Sequence, residues 1–230
     1  MWSNLLGDLF EPILYLVGLG YGLGHFVRSI DGMDYLQFIA PGMVATGAMW
    51  SACFENTYGA FTRMARQKTY VAIMMTPIDI EDIVLGDILW AATKATIGGA
   101  MVVSVCTVLG LAHYPSTLLC VLQSFLTGLC FGGLAMLVTS MAPNYDFFTY
   151  FFTVFLTPFL LLSEAWYPLD GLPPAARVLA EVVPLTHAVR PMRAFMTGGA
   201  VPWSSLWVLT AYALVFSAIA AALVRRRLIR

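Results

Sequence analysis

The chain has 230 residues, of which 60% are hydrophobic and 11% charged, and its formal net charge is −1. With a mean hydropathy of +0.80, it has more apolar surface than one soluble core can bury, which excludes an ordinary soluble domain and predicts a membrane protein. The near-zero net charge and the lack of a basic patch interleaved with aromatic residues argue against a nucleic-acid partner.

Six apolar segments are long enough to form membrane-spanning helices. A hydrocarbon core about 30 Å thick needs about 20 apolar residues of α-helix. We predict spans at residues 9–26, 36–60, 83–111, 117–141, 147–162 and 206–224. The first run lacks a basic leader and a small-residue cleavage site, so we expect no cleavable signal peptide. The predicted fold class is an all-α polytopic membrane protein in which residues 1–230 form a single transmembrane domain.

Three ionisable residues, Glu55, Asp87 and Lys94, fall inside predicted spans. A charge near the middle of a membrane helix costs at least about 2.5 kcal/mol, so each needs a partner or water. Glu55 and Lys94 lie at similar depths in adjacent antiparallel helices, and we hypothesise that they pair. Asp87 lies two helical turns from Lys94, about 10 Å, which is too far for direct contact. The alternative is that Lys94 extends to the interface while Glu55 bonds the hydroxyl of Thr57 or Tyr58.

The loop at residues 62–82, TRMARQKTYVAIMMTPIDIED, follows the second span. Lys and Arg are concentrated on the cytoplasmic side of membrane proteins. If both termini are cytoplasmic, the inner side holds Arg63, Arg66, Lys68, Arg225, Arg226, Arg227 and Arg230, and the outer side holds Arg28, Arg177, Arg190 and Arg193. This distribution predicts cytoplasmic termini and a cytoplasmic loop.

The middle of this loop predicts a short helix lying across the membrane surface. Its apolar face would consist of Tyr70, Val71, Ile73, Met74 and Met75. Thr76 before Pro77 ends the helix, since the residue before proline is pushed out of helical geometry. Asp79 then caps the third span, with Asp82 at the third helical position. Such a face either binds a partner groove or merely covers its own bundle.

No catalytic or metal-binding pattern is present in the sequence. The three histidines, His25, His113 and His187, lack ligand spacing, and neither a nucleophile elbow nor a P-loop occurs. The four cysteines, Cys53, Cys106, Cys120 and Cys130, fall inside predicted spans, where we expect them to pack as small core residues. We therefore predict no catalytic residue, no metal and no ATP site in this chain.

The segment at residues 164–200 is interrupted by proline too often to cross the membrane. It predicts two short helices. Pro173 and Pro174 suit the first turn of one helix, Pro184 ends it, and Gly198 closes the next. We expect these helices to lie at, or dip into, the outer interface.

Four stretches carry a resemblance to a known family: ENTYGAFTRM, MMTPIDIEDIVLGDILWAATKA, MLVTSMAPNYDFF and TPFLLLSEAWYPLDGLPPAARVLAEVVPLTHAVRPMR. Together they resemble the type 2 ATP-binding-cassette (ABC) export permeases, and most of all the nodulation-factor, or lipo-oligosaccharide, exporter permeases. The likeness extends over residues 5–230. The family begins with a longer cytosolic segment, so here either the start is truncated or one ATPase contact is missing.

The resemblance implies six transmembrane helices in the bacterial inner membrane, a second copy of the chain, and two separate ABC ATPase subunits that bind ATP and Mg. The loop between spans two and three becomes a coupling helix that sits in a cleft of the ATPase. The implied coupling residues are Arg63, Arg66, Lys68, Tyr70, Met74, Met75, Thr76, Pro77 and Asp79. The helices after span five become a re-entrant gate with Glu164, Tyr167, Pro168, Pro173, Pro184, His187 and Arg190.

The expected substrate is an amphiphile moving among membrane lipids, either a lipo-oligosaccharide or another glycolipid or polysaccharide. Aromatic residues along span five either stack on sugar rings and flank acyl chains, or face lipid and pack: Tyr145, Phe147, Phe148, Tyr150, Phe151, Phe152, Phe155 and Phe159. A drug or antibiotic exporter of the same superfamily is the alternative. A remoter one is a membrane-embedded lipid- or glycan-modifying enzyme using Glu164, Asp170 or His187.

Overall fold

The computed structural model describes residues 32–111 and 115–229, and six isolated positions before them: 14, 18, 22, 24, 26 and 30. Most of the predicted first span lies outside the described residues, as do His25 and His113. Within the described part, every regular element is a helix, apart from one isolated bridge between Ile30 and Met33.

The first described helix, α1, covers Tyr35–Phe54 and continues through π-helical stretches at Glu55–Gly59 and Thr62–Arg66. The helices that follow are α2 (Thr69–Ile73), α3 (Ile80–Val108), α4 (Leu119–Met141), α5 (Asp146–Tyr150), α6 (Thr157–Leu161), α7 (Pro174–Val182), α8 (Pro184–Thr197) and α9 (Trp203–Ile229). A π-helical stretch at Phe151–Leu156 joins α5 to α6.

Three of these segments are long and apolar enough to cross a membrane: Ile80–Val108, Pro115–Met141 and Trp203–Leu228. They correspond to the predicted third, fourth and sixth spans. The predicted fifth span coincides with a shorter apolar helix, Asp146–Leu161. The helix over the predicted second span is longer than expected, because it runs on from residue 60 to Arg66.

Helix α4 lies at the centre of the bundle and packs against α1, α3 and α9. The backbones of α3 and α4 nearly touch, because a Cβ placed on Gly128 would lie 2.6 Å from the Cα of Ala92. Only a residue without a side chain allows this approach. All four cysteines are buried, as predicted, namely Cys53, Cys106, Cys120 and Cys130.

The hydrophobic core has two parts. The larger one is formed by α1, α3, α4, α8 and α9. The smaller one surrounds Tyr70 and includes Phe61, Met64, Phe148 and Val224. We call the end of the bundle that holds the smaller part the Tyr70 end, and the opposite end the α8 end.

The predicted pair of short helices is confirmed as α7 and α8. They are separated only by Val183, and the left-handed backbone of Gly198, with φ of 71°, closes α8. Pro184 therefore also begins the second helix. Most of α8 is buried against α1, α4 and α9, whereas α7 lies on the surface with Val178, Leu179 and Val182 exposed.

Candidate functional site

Four charged side chains form one continuous network between α1 and α3. Lys94 Nζ lies 3.0 Å from Glu55 Oε2, and Arg63 Nη1 lies 2.9 Å from Glu55 Oε1. The other end of the same guanidinium, Nη2, lies 2.9 Å from Asp87 Oδ1. Two positive and two negative groups cancel, so the network is neutral. Neutral pairing reduces the cost of placing ionised groups within an apolar bundle.

The hypothesised pair between Glu55 and Lys94 is confirmed, and both side chains are largely buried, at 12% and 16% exposure. The alternative partner hydroxyl of Thr57 instead donates to the Cys53 carbonyl, at 2.7 Å. Asp87 joins the network through Arg63, and it therefore needs no direct contact with Lys94, two helical turns away.

Arg63 reaches Glu55 although the two residues are eight positions apart on one helix. The π-helical stretches between them widen the helical turn, so that residues at this spacing share a face. Gly59 lies between the two groups. A Cβ there would be 2.9 Å from Glu55 Oε1 and 3.4 Å from Arg63 Nη1. The absence of a side chain at Gly59 therefore gives the ion pair its room.

Tyr70 connects the loop helix α2 to this network. Its side chain is 1% exposed, and its hydroxyl donates a hydrogen bond to Asp87 Oδ2. Burial, followed by the adjacent negative charge of Asp87, raises the pKa of the Tyr70 phenol. The phenol therefore stays protonated and acts as a donor. Tyr70 therefore covers its own bundle, which was one of the two alternatives for the apolar face of the loop, and it does not face a partner.

The outward face of the loop is formed by other residues. Lys68 has a left-handed backbone, with φ of 54°, and marks the point where the chain leaves the α1 helix. Met75 is 82% exposed and Val71 43%, while Met74 is half-buried against the core. The remaining exposed members of the predicted coupling set are Arg66, Lys68, Thr76, Pro77 and Asp79. A mixed basic and apolar face is thus left open at the Tyr70 end.

The turn after α2 and the start of α3 form as predicted. The Thr76 hydroxyl bonds the Ile73 carbonyl at 2.6 Å, which terminates α2. Asp82 Oδ2 accepts from the Asp79 amide at 3.3 Å, which is one half of a capping box. These contacts hold the turn that joins α2 to α3, the helix that contains Asp87.

A second charged cluster lies at the α8 end. Arg190 Nη2 lies 2.9 Å from Glu164 Oε1 and 2.6 Å from Glu181 Oε1. Arg193 bonds both the carboxylate and the backbone carbonyl of Glu164, and its guanidinium lies 4.0 Å from the centre of the Phe38 ring. Glu164 itself has a left-handed backbone, with φ of 60°. The two arginines hold this strained turn against α8.

The junction of α7 and α8 is closed by side chains that bond the last carbonyls of α7. Thr186 Oγ1 bonds the Ala180 carbonyl at 2.7 Å, and His187 Nε2 lies 2.9 Å from the Glu181 carbonyl. Tyr212 on α9 donates to the Val182 carbonyl at 2.9 Å. His187 is therefore a buried structural contact in this arrangement, and it lies at the same junction as the charged cluster.

The other predicted gate residues surround this junction in different settings. Tyr167 bonds the Leu161 carbonyl at the end of α6. Pro168 precedes the short 3₁₀ turn at Leu169–Gly171. Pro173 is the exposed N-cap of α7, and Pro184 is buried at the start of α8.

Aromatic residues of α1 and the fifth predicted span stack into what we call the aromatic ladder: Trp50, Phe54, Tyr58, Phe152 and Tyr145. Successive ring centroids along α1 lie 5.5 and 6.0 Å apart, and Phe152 lies 4.9 Å from Phe54. Phe54 and Tyr58 remain 39% and 37% exposed. In the predicted aromatic set, Phe148 and Phe151 are buried, which agrees with packing inside the bundle, whereas Tyr150 and Phe155 are exposed.

Sequence reasoning missed the roles of Arg63, Gly59, Arg193 and Glu181 in the two clusters. Arg63 was assigned only to the loop, and in a regular α-helix residues eight apart lie on different faces. The π-helical stretch that changes this has no clear sequence signal. The available signal was that every carboxylate in a predicted span needs a basic partner, and Arg63 is a basic residue near Glu55 in the sequence.

The ABC-2 type transporter family model matches residues 1–197. The chain is 42% identical to nodulation protein J of Rhizobium meliloti (strain 1021), over 98% of this chain and 87% of that protein. It is 43% identical to nodulation protein J of Rhizobium leguminosarum bv. trifolii, over 99% and 88%.

A more distant relative is the inner membrane transport permease YadH of Escherichia coli (strain K12), which is 23% identical over 83% of this chain and 74% of that protein. The family match covers most of the chain and includes both charged clusters. Together with the apolar helices, these findings show that the chain is a membrane protein and belongs to the ABC-2 type transporter family.

Proposed function

We propose that the chain is the permease subunit of an ATP-driven ABC exporter that moves an amphiphilic substrate, a lipo-oligosaccharide or related glycolipid, out across the bacterial inner membrane. It functions with a second copy of itself and with two copies of a separate ATPase subunit. ATP and Mg bind to the ATPase. The observation that carries the proposal is the connection from the exposed loop helix through Tyr70 to the buried charge network.

The loop at residues 62–82 is the contact with the ATPase in this proposal. Its exposed side offers Val71 and Met75 for an apolar groove, with Arg66 and Lys68 beside them. Methionine suits such a contact, because its flexible side chain adapts to a partner surface. A push on α2 is then carried by Tyr70 to Asp87.

Movement of Asp87 is transmitted to the charged groups within the membrane. Arg63 binds Asp87 and Glu55 with opposite ends of one guanidinium, and Glu55 also holds Lys94. Displacing α2 therefore changes the contacts of four charged groups at once. Packed ionic networks with discrete alternative pairings are suited to two-state switching. In our proposal, the two states are the inward-open and outward-open permease.

The proposed orientation places the Tyr70 end in the cytoplasm. Basic residues at this end include Arg66, Lys68 and Arg225, and the last of these bonds Glu81 at 2.9 Å. Six spans with cytoplasmic termini follow from this orientation and the predicted span at residues 9–26. The cluster around Glu164 then forms the outer gate, with α8 as its re-entrant helix.

The substrate class is supported by the aromatic ladder. Stacked rings that are only partly covered within the chain offer flat faces on which sugar rings can pack. The resemblance to lipo-oligosaccharide exporter permeases points in the same direction.

The function is tested by placing the permease in lipid vesicles with and without the ATPase encoded beside its gene. We expect ATP hydrolysis and uptake of a fluorescent acylated oligosaccharide only when both proteins are present. A hydrophobic drug is the comparison substrate. Uptake of the drug but not of the oligosaccharide would replace the proposed substrate class with the alternative one. Chemical conversion of either compound by the isolated permease would contradict the transport function.

A further inference from the structure

A groove of about 450 Å³ opens between the N-terminal halves of α4 and α9. Leu122, Phe195, Trp203 and Trp207 form its apolar walls. Leu122, Trp203 and Trp207 are each about two-thirds or more exposed, at 67%, 68% and 72%. The groove is therefore open along its length to whatever surrounds the bundle at the α8 end.

One polar side chain in this groove stands out. Gln123 lines the groove and is only 4% exposed. Within the part of the chain that the structure describes, its amide Nε2 has no hydrogen-bond partner. Thr210, the other polar residue of the lining, bonds the Leu206 carbonyl at 2.8 Å. A buried donor without an acceptor costs about 1–3 kcal/mol, which an acceptor in the groove would recover once the Gln123 amide turns toward it.

The groove lies at the depth of a membrane interface. Helix α4 begins at Leu119 and Gln123 follows four residues later, about 6 Å along the helix axis. Trp203 and Trp207 occupy the first turn or so of α9. Tryptophan concentrates where lipid headgroups meet acyl chains. Phospholipid ester carbonyls, which accept hydrogen bonds but carry no charge, lie at this boundary.

We propose that the groove binds one phospholipid of the leaflet at the α8 end, with an acyl chain along Leu122 and Trp207 and an ester carbonyl accepting a hydrogen bond from Gln123. The lining contains no charged residue, so we expect the groove not to distinguish between lipid headgroups. The site does not depend on the proposed transport function, because it needs only that α4 and α9 begin at one membrane face.

Other occupants fit less well. The volume of the groove lies within the range of roughly 300–1,000 Å³ found for small-ligand pockets. A helix of a partner protein, about 10 Å in diameter, would need a larger groove. A glycan would leave most of its many hydroxyls without partners, since the lining offers few donors besides the Gln123 amide and the indole N–H groups of Trp203 and Trp207. The uncharged lining matches an acyl chain with a single carbonyl.

The test is a lipid titration of the full-length chain in detergent, followed by native mass spectrometry. The two probes are phosphatidylethanolamine with ester-linked chains and its ether-linked analogue, which lacks both carbonyls. We expect the wild-type chain to bind the ester lipid about fivefold more tightly, the equivalent of one hydrogen bond. Gln123→Leu should bind both lipids equally. Thr210→Val is the matched control and should keep the wild-type ratio.

Gln123→Asn is a second variant, which keeps an amide but shortens the side chain, so that the donor lies farther from the lipid. Its ratio of ester-lipid to ether-lipid affinity should also approach one. Equal binding of both lipids by the wild-type chain, or binding of neither, would overturn the proposal. Displacement of the lipid by an acylated oligosaccharide at equal concentration would assign the groove to the transported molecule instead. A Leu122→Cys variant that forms a disulfide between two copies in vesicles would assign it to a second copy.

Discussion

Tyr70 on α2 donates a hydrogen bond to Asp87 on α3, and this contact joins a loop helix of five residues to the charge network between α1 and α3. A helix so short is not stable by itself, because fixing the backbone of the first turn costs more free energy than its few hydrogen bonds provide. Its position therefore depends on contacts such as this one. Val71 on the exposed side of the same helix and Met75 in the turn after it are left open to a partner.

The exposed face of the loop should determine assembly with the ATPase. Introducing Val71→Asp together with Met75→Asp places two charges on an apolar contact surface, so we expect co-purification with the ATPase to be lost while membrane insertion is unchanged. Gly171→Asp is the control, because it adds a negative charge at the α8 end, where a new Cβ meets open space. Unaltered co-purification of the double variant would contradict the assignment of this face.

Removing one partner of the buried pair should destabilise the protein more than removing both. Glu55→Gln leaves Lys94 without its carboxylate, which we expect to lower the free energy of unfolding by about 3 kcal/mol. Adding Lys94→Met to Glu55→Gln should recover most of that loss, because Arg63 still pairs with Asp87. The measurement is thermal unfolding of the two single variants and the double variant in one detergent. Additive losses would show that the pair is not coupled.

Gly59 should resist a change that normally stabilises helices. Alanine is favoured over glycine in a helix by about 1 kcal/mol. At Gly59 the added Cβ would press on the Glu55 carboxylate, so we expect no gain in the free energy of unfolding. The matched control is Gly86→Ala on α3, where the added Cβ meets nothing within 4 Å. A similar gain at both positions would mean that the ion pair does not need the space at Gly59.

Acid should loosen the junction of α7 and α8. A hydrogen bond from Arg190 holds the pKa of Glu181 below its ordinary value of 4.5. A lowered carboxylate pKa adds stability above the unfolded pKa, and this is lost as the pH falls through the folded pKa. Because Glu181 is 55% exposed, the effect should stay within about 1 kcal/mol. Wild type and Glu181→Gln should differ in unfolding temperature at pH 7 and converge below pH 4; a constant difference would contradict this.

Much of the helical framework could be predicted from the sequence, because strong local signals decide it. Proline at Pro173 and Pro184 and glycine at Gly198 predicted α7 and α8, and the Asp79 cap predicted the start of α3. The pairing of Glu55 with Lys94 also followed, since charges in an apolar segment must find partners.

What could not be predicted depends on contacts distant in sequence or on helix irregularities. Tyr70 belongs to a helix too short to define a buried face by periodicity. Arg63 reaches Glu55 only because the helix widens between them. Gln123 belongs to a predicted apolar span, and it lines a groove only because α9 packs beside it.

In the proposed mechanism the Tyr70 hydroxyl couples the loop helix to the membrane network, and the Tyr70→Phe variant removes that hydroxyl alone. The variant keeps the buried ring but removes the donor to Asp87, and Tyr150→Phe, whose side chain is 69% exposed, is the control. In vesicles containing the assembled transporter, we measure acylated oligosaccharide moved per ATP hydrolysed. We expect Tyr70→Phe to assemble and hydrolyse ATP but to move about fivefold less substrate per ATP. An unchanged ratio would show that the Tyr70 hydroxyl does not couple the loop helix to transport.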